Sequence, residues 1–218
     1  AGNCAYSAIF LVHADAASGQ SVALSSSGKP AGEGCNTMAQ VREPADHALA
    51  ASFQQTRSRV FARGGMVATA HPLASAAGVD ALRKGGNAMD AIIAAAATTA
   101  VVIPAMCGVG GDAFFIYGQS DGTMTAVNGS GIAPRALSRE YFTSRGHTQM
   151  PFFGPLSMGV PGAIETWFIA IEKLCKLPAQ ELFAHAIHYA ENGFPLSGTG
   201  ARTIAASAEE LAKYPDSA

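Results

Sequence analysis

Between Gly64 and Asp112 the apolar positions form one short run and two helical patterns, and three glycine corners alternate with them. Met66 to Ala70 is a short apolar run between Gly64-Gly65 and His71-Pro72, the pattern of a buried strand. A residue before proline is pushed out of the helical region, so His71 closes the run. Pro72 suits the first position of a helix, where its missing N–H costs nothing. Leu73, Ala76, Ala77, Val79, Ala81 and Leu82 then recur at helical spacing and make one apolar face. Lys84-Gly85-Gly86 ends that helix, with a cation in the last turn and glycine for a left-handed cap. Asn87 is placed to cap the next helix, and Asp90 sits in its positive first turn. From Ala91 to Val102 no residue is charged. A helix that is apolar all round is buried, and this one is too short to span a bilayer, which takes roughly 20 residues. Pro104 stops it, and Gly108 to Asp112 forms the third corner.

Beyond this corner the pattern becomes that of strands. Ala113 to Tyr117 and Met124 to Val127 read as a pair joined by the turn Gln119-Ser120-Asp121-Gly122. Asn128-Gly129-Ser130-Gly131 leaves the second strand, and Ala133-Pro134 precedes a short helix near Ser138 to Thr143. Arg145 to Pro155 is irregular, and Gly159-Val160-Pro161-Gly162 is a further corner. Three helices follow. Ala163 to Leu174 carries Ile164, Trp167, Phe168 and Ile171 as its apolar face; Ala179 to Asn192 comes after Leu177-Pro178; Thr199 to Lys213 comes after the break Gly193 to Ser197.

Residues 1–63 differ in character and are read as an N-terminal extension, with residues 64–218 as the main domain. Ser7 to Val12 with Ser18 to Leu24 has the same layout as Asp112 to Tyr117 with Asp121 to Val127. Either the first is a diverged copy of the second or both are ordinary hairpins; each reading expects a hairpin. Ser25 to Gly34 is loop, and Asp46 to Val60 is a linker helix.

Composition narrows the function classes. With 218 residues, 49% hydrophobic, 14% charged and a net charge of −2, the chain suits a globular protein with one sizeable core or two small ones. No basic patch points to nucleic acid or a membrane surface. Cys4, Cys35, Cys107 and Cys175 are scattered and read as free thiols rather than a disulfide framework. His185 and His188 share a helix three residues apart, but no acidic or cysteine residue is spaced to join them, so they read as surface residues and no metal site is expected. No basic segment precedes the apolar stretch Tyr6 to Val12, which favours a cytoplasmic over a periplasmic location.

Taken in order, these segments resemble the γ-glutamyltranspeptidase family over residues 64–218. The matching pieces are Met66 to His71 with Pro72 to Ser75, Gly85 to Ala88 with Asp90-Ala91, Gly108 to Asp112, Asn128 to Gly131 with Ala133-Pro134, Val160 to Gly162, Leu177-Pro178 and Gly193 to Ser197. The resemblance implies an α+β fold, the αββα sandwich of N-terminal-nucleophile hydrolases. It implies a precursor that cuts itself into two subunits, and no cofactor. The substrate is a small acyl amide, glutathione or a relative of it. The attacking group is the N-terminal threonine of the small subunit, with its terminal amine as base. Homo-oligomers of such heterodimers are compatible with it. No segment here matches the nucleophile, so no catalytic residue is expected in this chain, which looks like the N-terminal part of a large subunit.

The resemblance also points to substrate-binding residues. The family places an arginine in a Gly-Arg-Glu motif after the second strand, where its guanidinium grips the substrate α-carboxylate as a fork. This chain has Gly129-Ser130-Gly131 there, and Ile132 where some relatives carry arginine after Gly-Ser-Gly. Ser130 and Arg135 are therefore the candidate substrate-binding residues. A glutathione-hydrolase-like amidase or acyltransferase is the first reading; a non-enzymatic subunit that binds without turnover is the alternative.

Overall fold

In the computed structural model, residues 11–13, 60–151 and 154–214 are described. The elements are β1 (Leu11–His13), β2 (Met66–Ala68), α1 (Pro72–Arg83), α2 (Ala88–Val102), β3 (Ala113–Gly118), β4 (Met124–Gly129), α3 (Arg139–Thr143), a 3-10 turn (Pro155–Ser157), α4 (Ala163–Leu174), α5 (Ala179–Asn192) and α6 (Gly198–Leu211). All belong to one unit of the chain, made of residues 1–16 and 64–218.

The centre of this unit is α2, which packs against α1, α4 and α5. Its side chains explain why. Met89, Ala91, Ile93, Ala94, Ala95, Thr98 and Thr99 are all at most 2% exposed, so the helix is enclosed on nearly every side, as its lack of charge predicts. Small side chains bring neighbouring backbones close. A Cβ on Gly78 of α1 would stand 2.9 Å from the Ala91 carbonyl oxygen, closer than side chains tolerate. The hydroxyls of Thr98 and Thr99 donate to the carbonyls of Ala94 and Ala95 at 2.8 and 2.7 Å, so neither is buried unsatisfied.

The start of α2 is tied to the far end of α4. Asn87 Oδ1 accepts the N–H groups of Met89 and Asp90, and Asp90 Oδ2 accepts the Asn87 N–H at 2.7 Å, a reciprocal cap. Asp90 is fully buried, and its carboxylate also accepts the N–H groups of Lys176 and Leu177. Asn87 Nδ2 donates to the Leu174 carbonyl at 2.7 Å. Burial, with the Asp90 charge nearby, pushes the Cys175 thiol up to about 12. Cys107 and Cys175 are both free.

The hairpin β3–β4 is antiparallel, with Ala113 opposite Gly129, Phe115 opposite Val127 and Tyr117 opposite Thr125. These residues are half-buried and face the helices, where α4 packs on both strands. The alternate face bears Phe114, Ile116 and Met124, which are 54%, 75% and 65% exposed.

One expectation changes. The buried stripe of α4 is Ala163, Thr166, Trp167 and Ala170, so only Trp167 of the expected face is fully covered. Ile164 and Phe168 are exposed, and Phe168 packs edge-on to Phe183 with ring centroids 5.9 Å apart. The N-terminus of α4 lies close against Gly129, where a Cβ would collide with Thr166 Oγ1. The strand β1 pairs antiparallel with β2, Val12 opposite Val67. The other half of its expected hairpin, the loop over 25–34 and the helix from Asp46 lie outside the described residues, as do Cys4 and Cys35.

Candidate functional site

The candidate substrate-binding segment begins where β4 ends. Asn128 Oδ1 accepts the Ser130 N–H at 3.0 Å, which turns the chain out of the sheet. One residue on, the Gly131 N–H donates to Asp112 Oδ1 at 2.7 Å. Asp112 immediately precedes β3, so this bond closes the open end of the hairpin just beyond the Ala113–Gly129 pair.

A third segment locks onto the first two. The N–H groups of Gly162 and Ala163 both donate to the Gly111 carbonyl, at 3.1 and 2.9 Å, and the Val160 N–H donates to the Ile132 carbonyl at 2.9 Å. Thr166 Oγ1 donates back to the Gly162 carbonyl at 2.8 Å. The backbones meet so closely that side chains are excluded. A Cβ on Gly129 would collide with Thr166 Oγ1, one on Gly131 with the Val160 carbonyl, and one on Gly162 with the Gly129 carbonyl. Three glycine corners far apart in sequence are thus one object in space.

Beside it lies a cleft of about 910 Å³. Gly131, Ala133 and Pro134 form one wall, α3 with Leu137 and Phe142 another, and Met150, Met158 and Gly159 a third. Asp112, Arg139 and His147 are the ionisable residues that line it. The volume falls in the range of small-molecule sites, and the lining mixes apolar residues with polar ones, Ser138, Thr143, Thr148, Gln149 and Ser157 among them.

Ser130 and Arg135 both lie on the segment between β4 and α3, and both are exposed. Neither lines the cleft, although Gly131, Ala133 and Pro134 between them do. Arg135 sits in the turn after Pro134, where the Leu137 N–H donates to the Pro134 carbonyl at 2.9 Å. The residue the sequence reading left without a role is Asp112. Its signal was the strand register, since pairing Ala113 with Gly129 necessarily sets Asp112 beside the exit of β4.

His185 and His188 separate. His185 Nε2 is 3.1 Å from Asp80 Oδ2 on α1, an acidic partner that spacing along the chain does not reveal, while His188 is 3.3 Å from the Asn192 amide. Among the described residues no three metal-ligating side chains converge. The hydrogen bond from His185, aided by the charge of Lys84, holds the Asp80 carboxyl below its ordinary range. No described helix is long and apolar enough to cross a membrane.

The sequence model of the γ-glutamyltranspeptidases matches residues 74–218, so the whole glycine-locked segment and the cleft fall within the match. The chain belongs to the γ-glutamyltranspeptidase family. Among its relatives are the glutathione hydrolase-like YwrD proenzyme of Bacillus subtilis, 36% identical over 152 residues, and the oxamate amidohydrolase proenzyme of Klebsiella pneumoniae, 36% identical over 158. Each alignment covers 69% of this chain and 29% of the relative, so the chain spans about three tenths of the length of these relatives. Among solved structures, the cephalosporin acylase from Bacillus halodurans is similar with a TM-score of 0.70 and 36% identity, over 80% of this chain and 32% of that one. The γ-glutamyltranspeptidase of Helicobacter pylori gives 0.66 and 30%, over 75% and 46%. The mixed helix-and-strand fold of this chain is the one its γ-glutamyltranspeptidase-family neighbours share.

Proposed function

We propose that these residues form part of the large subunit of an amide hydrolase or acyltransferase whose donor is a small acyl amide lacking the free α-carboxylate of a γ-glutamyl group. The observation that carries this reading is the segment Gly129-Ser130-Gly131. Its backbone is pinned beside the cleft, and Ser130 occupies the sequence position of the family's arginine. A serine offers one donor and two lone pairs and cannot grip a carboxylate with two charge-assisted bonds. Relatives named as an oxamate amidohydrolase and a cephalosporin acylase favour a donor range wider than glutathione.

In this reading the nucleophile is the N-terminal threonine of a small subunit. Its hydroxyl attacks the amide carbonyl while its own amine takes the proton; the amine product leaves, and water or a second amine receives the acyl group. The exposed face of β3–β4, with Phe114 and Ile116, is the side on which a second sheet completes an αββα sandwich. In this reading residues 1–218 hold no nucleophile and by themselves do not turn over.

The test uses the complete matured protein and residues 1–218 alone, assayed for chromophore release from γ-glutamyl anilide and from neutral acyl anilides. The complete protein is expected to favour neutral donors, and Ser130→Arg to raise γ-glutamyl turnover at least tenfold, as ~1.4 kcal/mol of a charge-assisted pair requires. Turnover by residues 1–218 that tracks the protein through purification refutes the assignment of the nucleophile. A native preference for γ-glutamyl donors that survives Arg135→Ala refutes the argument from Ser130.

A further inference from the structure

We propose that Asp112 is a specificity-determining residue of the donor site, acting against anionic acyl groups by its charge while it holds the site's backbone in place. This rests on the amidase reading above and deepens it. Asp112 lines the cleft, and one of its carboxylate oxygens accepts the Gly131 N–H at 2.7 Å. The bond joins residues nineteen apart and fixes the backbone directly after Ser130. Gly131 has no side chain of its own to brace the turn, and none fits, because the Val160 carbonyl occupies the space. The backbone on either side of the Ser130 side chain is therefore held by Asn128 and Asp112.

The same carboxylate carries a second consequence. Asp112 is exposed, and among the described residues no lysine, arginine or histidine lies within ion-pair range of it. The cations that face the cleft are Arg139 on α3 and, when protonated, His147; Arg135 lies outside it. A negative charge thus stands at the lip beside Ser130 without a cation paired to it. An acyl donor whose carboxylate approached Ser130 would meet a like charge, which disfavours binding. An uncharged acyl group avoids that repulsion and has Leu137, Phe142, Met150 and Met158 to contact, while Arg139 is the cleft residue that opposes the effect by attracting an anionic donor. Methionine side chains adapt to apolar groups of varied shape.

Asp112→Asn separates the two roles, because an amide oxygen still accepts the Gly131 N–H while the charge is gone. The complete matured protein is assayed with glutaryl anilide, which ends in a carboxylate, and with its neutral primary-amide analogue. The ratio of kcat/KM for the anionic over the neutral donor is expected to rise about tenfold in Asp112→Asn, mainly through KM, an effect worth ~1.4 kcal/mol. Asp112→Ala, which loses the anchor as well, is expected to lower kcat for both donors. An unchanged ratio in Asp112→Asn overturns the proposal. If the wild-type protein turns over no acyl anilide, the amidase reading fails instead. Equilibrium binding of glutarate and its monoamide to wild type and Asp112→Asn then decides the role of the charge by the same ratio.

Discussion

Asp90 and Leu177 are eighty-seven residues apart, yet the half-buried Leu177 donates its N–H at 2.8 Å to Oδ1 of a fully buried Asp90. The carboxylate serves three backbone N–H groups, those of Asn87, Lys176 and Leu177. It caps α2 and at the same time fixes the link between α4 and α5. Replacing it by alanine leaves these donors without a partner. Buried unsatisfied donors cost ~1–3 kcal/mol each, so Asp90→Ala is expected to destabilise the protein by roughly 3 kcal/mol or more. Asp90→Asn, which keeps one acceptor oxygen, should lose about half as much. Urea denaturation of the two variants checks the order; equal midpoints for wild type and Asp90→Ala would contradict it.

Ala95 is fully buried on α2, and its carbonyl accepts the Thr99 hydroxyl. Ala95→Leu is expected to cost about 1–3 kcal/mol by overpacking, and Ala95→Asp more, because an unpaired charge is buried. Thermal melting reads both, and a melting temperature unaffected by Ala95→Asp would mean that the helix is not enclosed.

The Asp80–His185 contact joins α1 to α5 at 3.1 Å, with Lys84 also bridging to Glu181 at 2.8 Å. Asp80 has a lowered pKa, first through the His185 hydrogen bond and then through Lys84. A carboxylate lowered in the folded state adds stability above its ordinary value of 3.8, and that stability is lost as pH falls below it. The groups are substantially exposed, so the contribution at neutral pH is below about 1 kcal/mol. His185→Ala should return the Asp80 titration toward 3.8, as followed by NMR, and flatten the acid limb of the stability curve.

Gly131→Ala places a methyl group against the Val160 carbonyl. The expected cost is at least ~2 kcal/mol, as for other overpacked sites, together with loss of turnover in the complete protein as the Ser130 segment shifts. Gly122→Ala, in an open turn at positive φ, serves as the control: it carries backbone strain but leaves the site in place. Similar activity losses in both would show that the glycine lock is not specific.

The elements of this fold were legible because local signals agreed. Pro72 opens α1, Asn87 caps α2, and the absence of charge from Ala91 to Val102 marks the buried helix. What was illegible is what depends on distant partners. Nothing near Asp90 in sequence announces Lys176 and Leu177, and nothing near His185 announces Asp80. The outer placement of Ile164 and Phe168 was hidden for a related reason. Periodicity identifies an apolar stripe, but the stripe that is buried is the neighbouring one, Ala163, Thr166, Trp167 and Ala170, which shares only Trp167 with it. The candidate site was legible in its glycine corners, but not in Asp112, whose part emerges only from the pairing of β3 with β4.

The open face of that pairing has a practical consequence for handling the molecule. Among the described residues, Phe114, Ile116 and Met124 are exposed on one face of a two-stranded ribbon with which no further strand pairs. Residues 1–218 produced in isolation are therefore expected to self-associate and to need detergent or a solubilising fusion. Co-production with whatever chain covers this face is the route to material that stays dispersed at high concentration.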